Sequence, residues 1–263
     1  MNYGELFLDG LIMCSDFCTC GTFLTLLLRL ISSGSAKGVS LQTIFAIVSA
    51  RTWHLLSHNI SLHYVPQVLP YSLFAFLDVT NAVLGIVLLV SFYRFFYSSY
   101  EKEKDNFGIE LFQKFDLLPK TGPFSEGPLV AGIFLYLVIA ILALVWYFVR
   151  RSPHSFWVSY FCCFYEVMGA VALFPQLRMF HKDKKVSSLL ANFVVLTAVN
   201  RLCTLSFWVF YPHVYLYRYP DNRGIQMASE TLNILILGDF LYYWVRAKVR
   251  GDAEVIIGDW DEV

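Results

Sequence analysis

The chain has 263 residues, of which 57% are hydrophobic and only 15% charged, and its 20 Lys and Arg residues are balanced by 20 Asp and Glu residues. So few charges cannot cover the surface of a soluble domain of this length, and a neutral chain without a basic groove is poorly suited to bind nucleic acid. The composition instead predicts an all-α integral membrane protein.

Apolar runs of roughly 20 residues, the length that a bilayer core requires, recur along the chain. We predict a single membrane domain over residues 1–263 with seven transmembrane helices. The first is interpreted as a retained helix and not a signal peptide, because Asp9 and Asp16 lie in it and no basic segment precedes it. The predicted spans are 5–31, 40–57, 67–95, 128–149, 155–178, 187–211 and 226–248.

The third and fourth spans are joined by the longest connection, residues 96–127. It contains the charge run Glu101–Asp105 and several Pro and Gly residues, which predict a solvated and partly irregular segment. A short tail, 249–263, follows the last span.

Lys and Arg are distributed unevenly between the two sides of this arrangement. Four lie on one side: Arg150, Arg151, Arg218 and Arg223. Fourteen lie on the other: Arg29, Lys37, Arg94, Lys102, Lys104, Lys114, Lys120, Arg178, Lys182, Lys184, Lys185, Arg246, Lys248 and Arg250. Because cytoplasmic loops are enriched in Lys and Arg, the connection 96–127 and the tail are predicted to be cytosolic, and the N-terminus lumenal or extracellular.

A weak internal repeat links the two halves of the chain. The segment Lys37–Ser40, followed by Arg51, is echoed by Lys185–Ser187, followed by Arg201. The echo predicts two parallel three-helix repeats joined by the fourth helix, a 3+1+3 plan, with a ligand at the interface that the repeats share.

Arg51 and Arg201 are the basic residues that this plan places inside spans, in the lumenal half, and a charge there is costly unless it has a partner. One interpretation is that both form internal ion pairs with acids inside the spans. The other is that a guanidinium is reserved for an anionic ligand entering from the lumen, because its planar donors match a carboxylate. The acids available are Asp9, Asp16, Asp78, Glu166, Glu230 and Asp239.

Five segments in order carry a further pattern: Ala50–Leu62, Tyr100–Phe112, Ala172–Leu177 with its Pro-Gln-Leu, Val199–Trp208 and Gly238–Tyr242. Together they resemble the ER lumen protein-retaining (KDEL) receptor family over most of the chain. The resemblance implies a seven-helix receptor of PQ-loop and SWEET-like architecture, with no cofactor. It also implies binding of KDEL- or HDEL-like C-terminal peptides of escaped ER proteins in the acidic Golgi and their return to the ER, through a cytosolic vesicle coat.

The resemblance also implies roles for individual residues, with Arg51 holding the terminal carboxylate of the peptide. The expected peptide-binding set is Arg51, Thr52, His54, Asn200, Arg201, Thr204, Trp208 and Tyr211. The expected supporting acids are Asp16, Asp78, Glu166 and Asp239, and the expected coat-binding residues are Arg246, Lys248 and Arg250.

The chain departs from the family at several of these positions. Thr52 and Asn200 replace tyrosines, His54 replaces an aspartate, Gly169 replaces a glutamate, and Tyr211 replaces an arginine. His54 lies three residues beyond Arg51, and imidazole titrates between neutral and mildly acidic pH. We therefore expect His54 to sense pH.

Other function classes fit the sequence less well. A PQ-loop solute transporter shares the architecture and the Pro175-Gln176 signature, but the first span contains no comparable proline. No nucleophile paired with a base, metal-spaced cluster or phosphate-binding glycine loop indicates an enzyme. Short loops and the repeat argue against a G-protein-coupled receptor.

Overall fold

The computed structural model of the protein describes residues 3–60, 68–114, 128–150, 156–214 and 223–258. The predicted connection and tail therefore lie outside the described residues from 115 to 127 and from 259 onwards. The helices are α1 Tyr3–Ser33, α2 Leu41–Ile60, α3 Tyr71–Ser91, α4 Phe107–Lys114, α5 Pro128–Arg150, α6 Phe156–Val171, α7 Phe174–Asp183, α8 Ser188–Val214 and α9 Arg223–Arg250. The strands are β1 Lys185–Ser187 and β2 Glu254–Ile256.

Four stretches of the described chain are both long and apolar enough to cross a membrane. They are Tyr3–Ser33, Tyr71–Ser99, Ser159–Asp183 and Ser188–Val214. Helices α2, α5 and α9 occupy the positions of the other predicted spans. Over the described residues the fold is therefore all-helical apart from one small sheet, and the count of seven crossings stays a prediction.

The helices form two groups, and helices of one group also pack against helices of the other. In one group α3 packs against both α1 and α2, and in the other α9 packs against both α6 and α8. Between the groups α1 packs on α8 and α2 packs on α6, while α5 packs on α6. Two repeats related by a common axis would give these paired contacts between the groups. The packing brings α1, α2 and α8 close to one another.

The predicted span 155–178 is interrupted where α6 ends at Val171 and α7 begins at Phe174. Pro175 lies in the first turn of α7, where its missing N–H leaves no hydrogen bond unmade. The next side chain, Gln176, is buried. Its Oε1 accepts from the Ser40 amide at 2.8 Å, and its Nε2 donates to the Gly38 carbonyl at 2.8 Å. The two hydrogen bonds of Gln176 therefore hold the start of α7 against the segment before α2.

Asp105 caps the same end of α2, although the charge run that contains it predicted a solvated segment. Its side chain is only 1% exposed. It accepts hydrogen bonds from Ser40 Oγ at 2.7 Å, the Gln42 amide at 3.2 Å and Tyr100 Oη at 2.5 Å. Burial raises the pKa of Asp105, although the bonds from Tyr100 and Ser40 favour its ionised form. The unsatisfied amides of a helix N-terminus explain why a carboxylate is held here.

Lys104 ties the connection to α7. Its Nζ lies 2.9 Å from Glu101 Oε1 and 2.6 Å from Asp183 Oδ1. Glu101 also accepts from the Gly38 amide at 3.1 Å. Partial burial opposes ionisation of Glu101, but the hydrogen bonds from Lys104 and Gly38 outweigh it and lower its pKa.

The start of the tail forms an unpredicted strand. Gly251, with a φ of 75°, reverses the chain after α9. Strand β2 then pairs antiparallel with β1, Val255 lying opposite Val186. Val255 and Ile257 are each 3% exposed and join the main apolar core. A three-residue strand gives too little sequence pattern to be recognised.

Candidate functional site

A polar network crosses the junction of α1, α2 and α8. Asn200 Nδ2 lies 2.7 Å from the Ser15 carbonyl and 2.9 Å from Thr19 Oγ1. Thr204 Oγ1 donates to the Asn200 carbonyl at 3.1 Å and lies 3.4 Å from Ser15 Oγ. Asn200 and Thr204, one turn apart on α8, thus lie in one polar network with hydroxyl groups on α1.

Arg51 enters this network from α2. Its Nη2 donates to Thr19 Oγ1, and its Nη1 lies 3.7 Å from Asp16 Oδ1. That separation is too long for a hydrogen bond, so the pairing with Asp16 is electrostatic and loose. A guanidinium has five N–H donors, and 22% of the Arg51 side chain is exposed. Arg51 therefore has partners in Thr19 and Asp16, and part of its side chain remains accessible.

Arg201 lies on a different side of α8 and contacts α6 and α9. Its Nη1 lies 3.3 Å and 3.5 Å from the two carboxylate oxygens of Glu230. Its Nη2 donates to the Gly169 carbonyl at 2.8 Å. A Cβ at position 169 would itself lie 2.8 Å from that nitrogen, so the absence of a side chain at Gly169 makes room for Arg201. The Arg201 side chain remains 21% exposed.

His54 connects α2 with α3 and α6. Its Nδ1 lies 3.6 Å from Asp78 Oδ1, and its ring meets the edge of Tyr165 with centroids 5.2 Å apart. Asp78 also interacts electrostatically with Asp16, the partner of Arg51. A proton gained by His54 would therefore change the charge balance beside the Arg51 network.

Three of the other expected peptide-binding residues lie in apolar or local surroundings. Thr52 Oγ1 donates to the Val48 carbonyl of its own helix at 2.9 Å. Trp208 and Tyr211 lie 5.9 Å apart by ring centroids, in a small apolar cluster with Leu8. Trp208 lies one turn and Tyr211 two turns beyond Thr204 along α8; Trp208 is partly exposed, whereas Tyr211 is buried.

Two of the four expected supporting acids, Glu166 and Asp239, contact neither Arg51 nor Arg201 within the described part of the chain. Glu166 Oε2 accepts from Trp146 Nε1 at 3.1 Å, which ties α6 to α5. Asp239 Oδ2 lies 3.5 Å from His181 Nε2, which ties α9 to α7. Arg246, Lys248 and Arg250, the expected coat-binding residues, are exposed at the end of α9.

Sequence reasoning did not single out Ser15 and did not pair Glu230 with Arg201. Ser15 and Thr19 are four residues apart, so they lie on one face of α1, and this spacing was an available signal. The pairing of Glu230 had no such signal, because six acids lay inside the spans and helix rotation decides which one meets an arginine. Chemically, the site offers the partly exposed side chain of Arg51 with hydroxyl and amide groups beside it, and an imidazole facing the Asp78 carboxylate. The partly exposed side chain of Arg201 lies on a different side of α8.

Comparison with known proteins gives two matches. The family described as ER lumen protein retaining receptor matches residues 35–211, which is more than half of the chain. The ER lumen protein-retaining receptor of Dictyostelium discoideum is 24% identical over 245 residues, covering 92% of this chain and 95% of that protein. The family match includes all eight expected peptide-binding residues. The chain belongs to the ER lumen protein retaining receptor family.

Proposed function

We propose that the protein is a multi-pass receptor of ER and Golgi membranes that captures the C-terminal retention signal of lumenal ER proteins and returns them to the ER by retrograde vesicles. In this proposal seven helices cross the membrane in the 3+1+3 plan, with a lumenal N-terminus and a cytosolic C-terminus. The ligand is a free C-terminal peptide of the KDEL or HDEL type.

The surroundings of Arg51 are the observation on which the proposal depends. The Arg51 side chain is partly exposed, its guanidinium has N–H donors beyond the one bonded to Thr19, and it lies 3.7 Å from Asp16. A terminal carboxylate would bind such a group as a bidentate partner at shorter range. Capture of a chain-terminal carboxylate is an established mode of peptide recognition.

Two features of α8 suit the remainder of an acidic tetrapeptide. Arg201, exposed to a similar degree, supplies a second positive charge. Trp208, which is partly exposed and backed by the buried Tyr211, offers an apolar surface for a leucine side chain. At the opposite end of the bundle, the exposed residues Arg246, Lys248 and Arg250 are the proposed contact for the vesicle coat.

The proposal is tested by the binding of acetylated Lys-Asp-Glu-Leu to the purified protein, with a free and with an amidated C-terminus. We expect the amide to bind at least about 30-fold more weakly, because it removes the charge that Arg51 pairs with. Equal binding of the two peptides would exclude carboxylate capture.

Replacing His54 by alanine is expected to flatten the pH dependence of peptide binding. Between about pH 7.4 and about pH 5.5 an imidazole gains a proton, and a charged His54 would neutralise Asp78, 3.6 Å away, and favour an anionic ligand. The measurement is the ratio of peptide Kd values at the two pH values. His213→Ala, at an exposed position of α8, is the matched control, and an unchanged ratio in His54→Ala would remove His54 from pH sensing.

A second candidate function is transport of a small solute, favoured by the helix break at Pro175. In that case a hinge in the second repeat would open and close a pathway. Vesicles containing the protein would then show solute uptake without peptide binding. Peptide binding without uptake would leave the receptor function as the better account.

A further inference from the structure

A groove on the outer surface of the bundle lies apart from the arginine site. It runs between α2 and α5, with Tyr93 beyond the end of α3 and Phe164 of α6 completing its walls. Its volume is about 560 Å³, within the range of small-molecule sites. Its rim opens sideways, since Phe45, Ile133 and Leu137 are 44%, 60% and 51% exposed. The groove is thus accessible from the surface that apolar helices turn to the bilayer.

The described residues that line the groove carry no charge, and their polar side-chain groups are the hydroxyls of Tyr93 and Tyr136 and the amide of Gln42. Tyr136 has its hydroxyl 2.6 Å from Ser49 Oγ, so that group is already bonded. Tyr93 is 43% exposed, so its hydroxyl does not need a partner from the ligand, whereas the Gln42 side chain is buried. A charged lipid headgroup would find no counter-charge among these residues. An uncharged lipid would need none, so the apolar lining favours it.

Gln42 supplies one unmet hydrogen bond in this apolar setting. It is 4% exposed, and its Nε2 donates to the Asp105 carbonyl at 2.5 Å. This bond fixes the orientation of the amide, because the flipped amide would place oxygen against oxygen. Its Oε1 is buried and has no hydrogen-bond partner among the described residues. A buried acceptor without a donor is costly, so a ligand that brings one hydroxyl group would be favoured here.

We propose that this groove binds a membrane sterol, with the sterol hydroxyl donating to Gln42 Oε1 and the ring system lying along α5. Gln42 lies in the first turn of α2, which the proposed topology puts near the cytosolic interface, where a sterol hydroxyl would lie. From Gly132 to Ala140 the groove follows α5 for about 12 Å, which suits a fused ring body. A rigid ligand loses little conformational entropy on binding, and Phe45, Tyr93 and Phe164 offer flat aromatic faces. Because Gln42 Oε1 is buried, the proposed binding requires a lining side chain to move so that the sterol hydroxyl can reach it.

Photolabelling of the full-length protein tests the sterol site. The protein is placed in phosphatidylcholine vesicles with a diazirine-bearing 3β-hydroxysterol, and the labelled residues are mapped by mass spectrometry. We expect labelling to concentrate on α2 near Phe45 and on α5 near Tyr136. A competing sterol that lacks the hydroxyl group should displace the probe about tenfold less well than the parent sterol, which is the effect of one buried hydrogen bond.

Gly132→Leu is the variant that should close the groove. A Cβ at Gly132 meets nothing within 4 Å, so the new side chain extends into open space and should reduce labelling at least tenfold. Gly238→Leu on α9, where a Cβ also meets nothing within 4 Å, is the matched control and should label like the wild type. Labelling spread over the outer helix faces, or unaffected by Gly132→Leu, would overturn the proposal.

Competition with diacylglycerol separates the sterol from another hydroxyl-bearing lipid. Displacement of the probe by diacylglycerol as effectively as by sterol would also overturn the proposal. The label mapping and both competitions use the wild-type protein, so they decide the matter even where Gly132→Leu does not fold. None of these outcomes depends on peptide capture.

Discussion

Replacing Arg51 by alanine is expected to weaken binding of a free C-terminal tetrapeptide by at least about 30-fold. In the proposed complex this guanidinium pairs with the terminal carboxylate, and truncating one partner of a hydrogen-bonded charge pair removes that bond and leaves the other charge without a partner. The measurement is the peptide Kd by calorimetry in detergent or nanodiscs. Arg51→Lys should recover only part of the affinity, because an ammonium group cannot form the bidentate pair.

Two controls separate carboxylate capture from damage to the site. Arg51→Ala leaves Asp16 without its cation, so the double variant Arg51→Ala, Asp16→Asn removes both charges and should bind the free peptide as weakly as the single variant. The amidated peptide provides the second control. It should bind wild type and Arg51→Ala almost equally, and a free peptide that binds Arg51→Ala as tightly as wild type contradicts the assignment.

Replacing Asp105 by alanine is expected to lower the free energy of unfolding by about 3–5 kcal/mol. The change removes the acceptor of Ser40 Oγ, Tyr100 Oη and the Gln42 amide together, in a place that is 1% exposed. Each buried donor left without an acceptor is costly. The measurement is thermal unfolding in a fixed detergent, where we expect the Tm to fall by about 10 °C.

Glu103→Ala is the control for Asp105→Ala, because Glu103 is an exposed acid of the same segment. It should leave the Tm nearly unchanged. Asp105→Asn should lie between the two, since its amide oxygen still accepts hydrogen bonds whereas its NH₂ group meets donors. A Tm for Asp105→Ala equal to that of Glu103→Ala would show that the cap of α2 does not stabilise the fold.

The helical segments were predictable because burial in a bilayer leaves a local trace. Apolar runs mark α1, α3 and α8 directly, and each end of these runs falls close to the observed helix end. The break before Pro175 was marked by the proline itself, although the predicted span ran through it. Strand β2 was not predictable, because its partner β1 lies far away along the chain and neither strand exceeds three residues.

The candidate site was predictable in its members more than in its pairings. Costly charges inside apolar runs single out Arg51 and Arg201 whatever the rotation of their helices. Their partners are set by rotation and by neighbouring volume, so Asp16 was one choice among six acids and Glu230 another. The contact of Arg201 with the Gly169 carbonyl depends on an absent side chain, which a search for polar residues overlooks.

Strand β2 has a practical consequence for how the proposed coat-binding signal is mapped by truncation. A truncation after Gly251 would remove the residues that cover Val186 and would strip a hydrogen-bonded edge from the segment leading into α8. If such a truncated protein failed to reach its compartment, misfolding and the loss of a sorting signal could not be told apart. Deletions that begin after Gly258, and fusions joined there by a flexible spacer, leave β2 in place and report on sorting alone.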